Sequence, residues 1–556
     1  MLSEISIESI ETKKENNNIF IKNLKKIKKI NLFRGIIEDL KRRLPVYLSD
    51  WYDSYNYRVI PSTIYIFFTN ILPAIAFALD LLKNTNNLVG VPEVLLSSAI
   101  AGVSFGILAG QPLVIVGMTG PVIVLWGSIY SISQNIGYNT LHIFSWTCIW
   151  ASIMHIIIAI TNSLISLKYV TNFSCETFEA LVAIIYLEKG IRLIIEQFDE
   201  IDVSSGLLSI ILSLGTVFVS WIFEKFVNTY YFHQIGRQFI ADYSTAIAIV
   251  IFSAIPHGKP FDVVNLQNLP TPITFGTNNG RPWIVDFWNA EVNTIFISIV
   301  PGIILTVLFY FDHNVSSIIT QNSKFNLKKG ASFHYDFLLL GIIVFVCGIF
   351  GLPPPNGLIP QAPLHTQSLL YKKKENDLED EKVYCIEQRF TNTMQGIIIG
   401  FCLTPPLLYV LGLIPRAVLA GLFIFMGLGT VLENNVFKRF VWLFQEKNKI
   451  DITNINEDKS IKNRLPPGAI HPTSGDIIPI KMVIIFEIIE ILCLGIIYYI
   501  TLSPISALFP IFIILLFPIR SYILPKFYKD TWLESLDEHV ASKETMETIS
   551  GNWKNE

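Results

Sequence analysis

Asp312 lies within an apolar run from Val307 to Val315, where a carboxylate is costly and by default serves a function. Two other clusters combine polar groups with residues that break helices. The first holds Gln111, Pro112, Gly117, Thr119, Gly120 and Pro121. The second holds Pro353, Pro354, Pro355, Asn356, Gly357, Pro360 and Gln361, with His365 one helical turn after Gln361 on the same face. The chemistry these residues offer is reversible binding of a small anion or an oxygen-rich neutral solute. The nine histidines and six cysteines form no HExxH or CxxC-like grouping. No catalysis, metal or cofactor is therefore expected, and the cysteines read as buried small hydrophobes.

The two clusters imply the elements that position them. Each interrupts an apolar stretch (112–131 and 357–370), leaving a helical piece shorter than the roughly 20 residues that span a bilayer. A helix starting inside a membrane has N–H groups without partners, so it must face protein or a water-filled cavity. Each such start carries about half a positive charge, and two aimed at one point favour an anion or oxygen-rich ligand. In this reading Thr119 caps the first half-helix, Gly120 lets the cargo approach and Pro121 suits the first turn. Asn356 and Gly357 cap the second, with Gln361 in its first turn. Asp312 faces the cargo as a group that gains and loses a proton, while His313 points about 100° away. Gln111 and His365 are candidates for the path. Glu487 and Glu490, with Glu179, Glu188 and Lys189, read as gate or helix-pairing groups.

Composition fits a membrane setting. Apolar residues make up 51% of the 556 and charged ones 16%, against about 25% charged in soluble domains; mean hydropathy is +0.48. A net charge of −3 gives no reason to expect nucleic acid. Fourteen apolar segments are predicted, near 60–82, 92–109, 112–131, 141–168, 175–197, 204–227, 237–256, 292–320, 333–351, 357–370, 388–411, 413–432, 480–501 and 503–521. Matching breaks in corresponding segments of two halves point to a transporter's binding site. Lysine and arginine set the orientation. Lys25, Lys26, Lys41, Arg42 and Arg43 put the N-terminal tail in the cytoplasm, and alternate counting puts Lys168, Lys225, Arg237, Lys324, Lys328, Lys329 and Lys438 there too. The predicted outer loop 257–291 has only Lys259 and Arg281. The expected organisation is a polar tail 1–40 (disordered over 1–30), a first repeat 41–256, the loop 257–291, a second repeat 292–525 with a cytoplasmic loop 433–479, and a cytoplasmic tail 526–556. Segment 371–383 reads as a solvated loop, and the stretch from Phe437 as an amphipathic interfacial helix. No removable signal peptide is evident.

Several motifs resemble the bicarbonate-transporter family, which holds the band 3 type anion exchangers and the borate exporters of plants and fungi. They are Leu44-Pro45 with Tyr47, Ser49, Asp50 and Asp53; Asn70 with Pro73, Ala74, Ala76 and Phe77; Gln111-Pro112; Gly117 with Thr119, Gly120 and Pro121; Tyr169 with Phe173; Ile414-Pro415-Arg416-Ala417 with Gly421; and Pro518 with Arg520. The resemblance runs over roughly residues 40–525. It implies an all-α polytopic membrane protein of fourteen segments in two inverted seven-segment repeats, with short strand-like pieces before the half-helices. Spans 1–4 and 8–11 would form a core domain that moves past a gate of spans 5–7 and 12–14, and the gates would pair in a homodimer. Asp312 matches the acidic site residue of the eighth span, where animal exchangers typically have glutamate. Gln361 takes the place of the exchangers' tenth-span arginine, and a neutral amide cannot neutralise a fixed anionic charge. The missing large domain before the first span agrees with the borate-exporter branch.

The expected function is export of borate or boric acid across the plasma membrane, or the vacuolar membrane. The first alternative is a bicarbonate/chloride-type inorganic anion exchanger on the same fold, and the second a sulfate or nucleobase carrier. A scaffolding role would not need paired half-helices.

Overall fold

In a computed structural model, the structure describes residues 32–537 apart from 232, 270–275, 375–380, 445–464, 471–477 and 504–505, together with 545, 547 and 549. The expectation for residues 1–30 lies outside the described residues. The chain is a helical membrane protein, and helices occupy all fourteen predicted segments. In chain order they include α1 (Arg34–Arg43), α2 (Val59–Asn84), α3 (Val91–Leu108), α4 (Gly120–Ile136), α5 (Thr140–Ile160), α6 (Asn172–Glu200), α7 (Val203–Lys225), α8 (Gln234–Asp242) and α9 (Ser244–Ala254). The second half supplies α10 (Ile299–Thr320), α11 (His334–Phe350), α12 (Gln361–Ser368), α13 (Phe390–Phe401), α14 (Pro405–Gly412), α15 (Arg416–Glu433), α16 (Asn435–Leu443), α17 (Ile480–Thr501), α18 (Phe509–Ile514) and α19 (Asp530–Leu536). Among the described residues, seven helices are long and apolar enough to cross a bilayer, and nine if each of two bent pairs counts as one. The bends are 66° between α8 and α9 and 93° between α13 and α14. Pro405 and Pro406 at the start of α14 account for the sharper one, since neither can donate the hydrogen bond that would continue α13.

The helices pack in two sets. In one, α5 lies against α10 and α11, and α13 against α2 and α3. In the other, α15 lies against α6 and α7, with α9 on α7 and α17 on α6. Close approach rests on small residues: a Cβ on Gly102 of α3 would stand 2.8 Å from the Cα of Gly396 on α13. Backbones in a bilayer meet in this way because lipid offers no hydrophobic drive for helix association.

The segments outside the spans are more ordered than the sequence suggested. Helix α1 begins inside the stretch assigned to the tail and docks on α11. Asp50, fully buried, accepts from Arg43 at 3.0 Å and from Lys329 at 2.6 Å and forms an ion pair with Arg389. Of the expected solvated loop 371–383, residues 371–374 and 381–383 are instead paired antiparallel strand, and 375–380 lie outside the described residues. Strand β1 (Leu370–Lys374) pairs with β2 (Glu381–Cys385), with Lys374 opposite Glu381 and Lys373 opposite Lys382. The C-terminal tail is also fastened, because Asp537 accepts from the N–H of Phe173 at 2.7 Å at the start of α6 and from Arg520 at 2.6 Å.

Candidate functional site

Before α4 and α12 the chain is extended, and the two extended pieces pair. Val116 lies opposite Gly357 and Gly117 opposite Asn356 in a two-residue antiparallel ladder. The surrounding prolines keep these pieces out of helix, and the glycines let them approach their neighbours. A Cβ on Gly117 would stand 2.6 Å from Asn70 Oδ1, and one on Gly357 would stand 2.9 Å from the Cα of His313. Helix α4 starts three residues after Gly117, and α12 starts four after Gly357. The two are unequal: α4 has 17 residues and α12 has eight.

Asp312 sits on α10 beside this crossing, 2% exposed. Its Oδ2 accepts from Asn356 Nδ2 at 3.1 Å, while its Oδ1 has no protein donor. Asn356 is thus a strand residue that fastens the acid, not a helix cap, and its own Oδ1 accepts from the Gly357 N–H at 2.8 Å. The residue before α12 is Pro360, which cannot cap with a side chain. Thr119 does precede α4, but its hydroxyl makes no cap and has no protein partner. The Asn356–Gly357 cap expectation fails because both residues belong to the strand crossing, and Thr119 stands at the cap position without making the bond. Gly120 lies against the Phe77 ring, 3.4 Å from where a Cβ would be. The Gln361 amide donates from Nε2 to the Thr69 carbonyl at 3.2 Å and to the Tyr186 hydroxyl at 3.3 Å, leaving Oε1 without a donor. The amide's orientation follows from the partner, since a carbonyl oxygen can only accept.

A cavity of about 1380 Å³ opens between the two helix sets. It is lined by Arg58 just before α2, Tyr65 of α2, Glu179 of α6, Trp221 of α7 and Glu433 of α15, and it ends on Pro360 and Pro363 around the start of α12. Thr119, Asp312, Asn356 and Gln361 lie behind that end and do not line it. Gln111 and His365 are elsewhere. Gln111 donates its backbone N–H to Asp336 at 2.9 Å and His365 Nδ1 sits 2.9 Å from the Leu113 carbonyl, while Gln111 Nε2 and His365 Nε2 are buried without a protein partner. Among the described residues no cluster of three or more His, Cys, Asp or Glu could hold a metal.

The family described as "HCO3- transporter integral membrane domain" matches residues 31–206 and 200–541. The chain belongs to the bicarbonate-transporter family. It is 39% identical over 93% of its length to "Putative transporter C543.05c" of Schizosaccharomyces pombe, covering 98% of that protein. It is 44% identical over 75% of its length to "Boron transporter 1" of Saccharomyces cerevisiae, covering 74% of it. "Boron transporter 4" of Arabidopsis thaliana is 27% identical, with 91% of this chain and 87% of that one aligned.

In this bicarbonate-transporter chain, the seam between α2 and α6 is held by ion pairs and rings at its end away from the cavity. Lys189 of α6 holds Asp80 of α2 at 2.5 Å, and Lys83 lies 3.6 Å from both Glu196 and Glu200. Phe77, Phe423 and Tyr186 pack in sequence as tilted rings, with centroids 5.9 and 5.4 Å apart. Glu487 and Glu490 pair helices: with Glu176 they surround Arg439 of α16, at 2.8, 2.5 and 2.9 Å respectively. Tyr186 and Arg439 escaped the sequence reading. The tyrosine sits in a long apolar helix without a break, and the arginine belongs to an interfacial pattern whose charged face points inward.

Proposed function

We propose that this chain exports boron, carrying boric acid or borate from the cytoplasm by alternating access. The observation that carries the reading is a buried carboxylate, Asp312, held by the neutral amide of Asn356 at a crossing where two helices start, with a second neutral amide, Gln361, at the start of α12. No ion pair of Asp312 is found among the described residues, which favours a neutral or hydroxyl-rich solute over chloride or bicarbonate. The relatives named as boron transporters support it.

In this proposal the fourteen segments are fourteen spans in two inverted repeats (41–256 and 292–525). Spans 1–4 and 8–11 form a core that carries Thr119, Gly120, Asp312, Asn356, Gly357 and Gln361, and spans 5–7 and 12–14 form a gate. The cavity is the cytoplasmic vestibule, both termini are cytoplasmic, and two chains pair through their gates in the plasma membrane. Cargo enters from the vestibule, sits between the two helix starts, and leaves once the core has shifted and the α2–α6 seam has opened.

The test is boron efflux from cells lacking their own exporter, with and without this chain, at several external pH values. Boron efflux that Asp312→Ala abolishes, with the protein still in the membrane, is the expected result. Chloride or bicarbonate flux without boron flux would favour the anion-exchanger reading instead.

A further inference from the structure

We propose that the site recognises its cargo by the cargo's own hydroxyl protons, so that a solute must donate hydrogen bonds to be carried. The inference rests on the boron-export reading and concerns how the same site selects its ligand. The donating halves of the two key side chains are already used inside the protein. Asn356 Nδ2 is spent on Asp312, and Gln361 Nε2 is spent on Thr69 and Tyr186. What each residue leaves over is an acceptor, Asp312 Oδ1 and Gln361 Oε1. Both belong to residues at most 2% exposed, and neither has a protein donor.

Acceptors left unpaired in a buried site are costly, and a ligand's O–H groups are the partners that relieve them. The Tyr186 hydroxyl accepts from Gln361, so its own proton is available to donate, and the Thr119 hydroxyl can act either way. The backbone N–H groups at the start of α4 add donors, since Thr119 provides no cap. The matching ligand both donates through several hydroxyls and accepts through its oxygens. Boric acid, with three O–H groups, and tetrahydroxyborate, with four, fit that pattern; a halide fits only half of it. A site built to hydrogen-bond a ligand's hydroxyl rejects an analogue lacking it far more strongly than a pocket that reads shape.

The experiment is competition during boron transport by the full chain in proteoliposomes. Germanic acid is a neutral tetrahydroxy compound rich in donors. Tetrafluoroborate has the charge and tetrahedral form of tetrahydroxyborate but no proton to give. The expected result is inhibition by germanic acid and none by tetrafluoroborate at roughly 100-fold excess over boron, consistent with hydroxyl selectivity. Gln361→Met, which keeps length but removes the acceptor together with the donor to Thr69 and Tyr186, should cut boron flux by about tenfold or more, in keeping with the loss of at least one buried hydrogen bond. Boron flux that tetrafluoroborate blocks as well as germanic acid does would overturn the inference and leave boron export standing. Chloride flux with no boron flux would overturn the export reading, and the inference with it.

Discussion

Replacing Asp80 by Asn leaves Lys189 without its carboxylate at the end of the seam away from the vestibule. Lys189 is 8% exposed and Asp80 30%, so the pair stands between two regimes. Exposed pairs contribute about 0.2–1 kcal/mol, and removing one partner of a buried pair costs about 3–5 kcal/mol. A loss of about 2 kcal/mol follows for the closed seam, worth roughly 30-fold in the ratio of closed to open seam at about 1.4 kcal/mol per tenfold. The two outer contacts of Lys83 are longer, at 3.6 Å, and more exposed, so they compensate little. The assay is thiol labelling of Leu193→Cys, one turn beyond Lys189 and buried in the wild-type seam, in a background without the native cysteines. A membrane-impermeant reagent is applied from the side opposite the vestibule. Asp80→Asn should speed labelling by roughly 30-fold, and the exchange Asp80→Lys with Lys189→Asp should bring it most of the way back. Unchanged labelling in the single variant would refute the seam as a closure. Equally fast labelling in the exchanged pair would show that the gain came from damage and not from charge.

Other outcomes follow from groups outside the crossing. Arg439→Met strips the cation from Glu176, Glu487 and Glu490 and should cost about 3–5 kcal/mol. The thermal unfolding midpoint should fall, and adding Glu487→Gln with Glu490→Gln should recover part of it; full stability of the single variant would contradict the pairing. Burial pushes the Asp537 carboxyl up to about 6, against the pull of Arg520. An unfolded aspartate titrates near 3.9, so the folded tail favours the protonated form. That contribution, about 3 kcal/mol at most, is complete below about pH 4 and lost as pH rises past about 6. Hydrogen exchange over α19, corrected for intrinsic rates, should therefore show weaker protection at pH 7.5 than at pH 5, and Asp537→Asn should flatten the difference.

The sequence announced its spans because hydrophobic length is a local property, and it announced the two breaks because proline and glycine act on their own backbone. The roles of residues at the breaks were harder to read. Asn356 looks like a cap under a rule that assumes a helix begins at once; here an extended pair intervenes and Asn356 fastens Asp312 across 44 positions, whereas Thr119 stands at the cap position of α4 without a side-chain bond. The partnership of Lys189 with Asp80 spans 109 positions, and Arg439 meets its carboxylates on two separate helices. Periodicity carries no trace of such partners. The hairpin from Leu370 to Cys385 was hidden because both strands carry charges that mimic solvated loop.

Four residues joined by backbone hydrogen bonds have one further effect on a carrier of this form. The ladder between Val116–Gly117 and Asn356–Gly357 stitches both helix tips to one another, so neither can retract alone while cargo is held. In the export proposed above, such a cradle would move as a single piece, and the ladder itself supplies no loosening of the grip between one membrane face and the other.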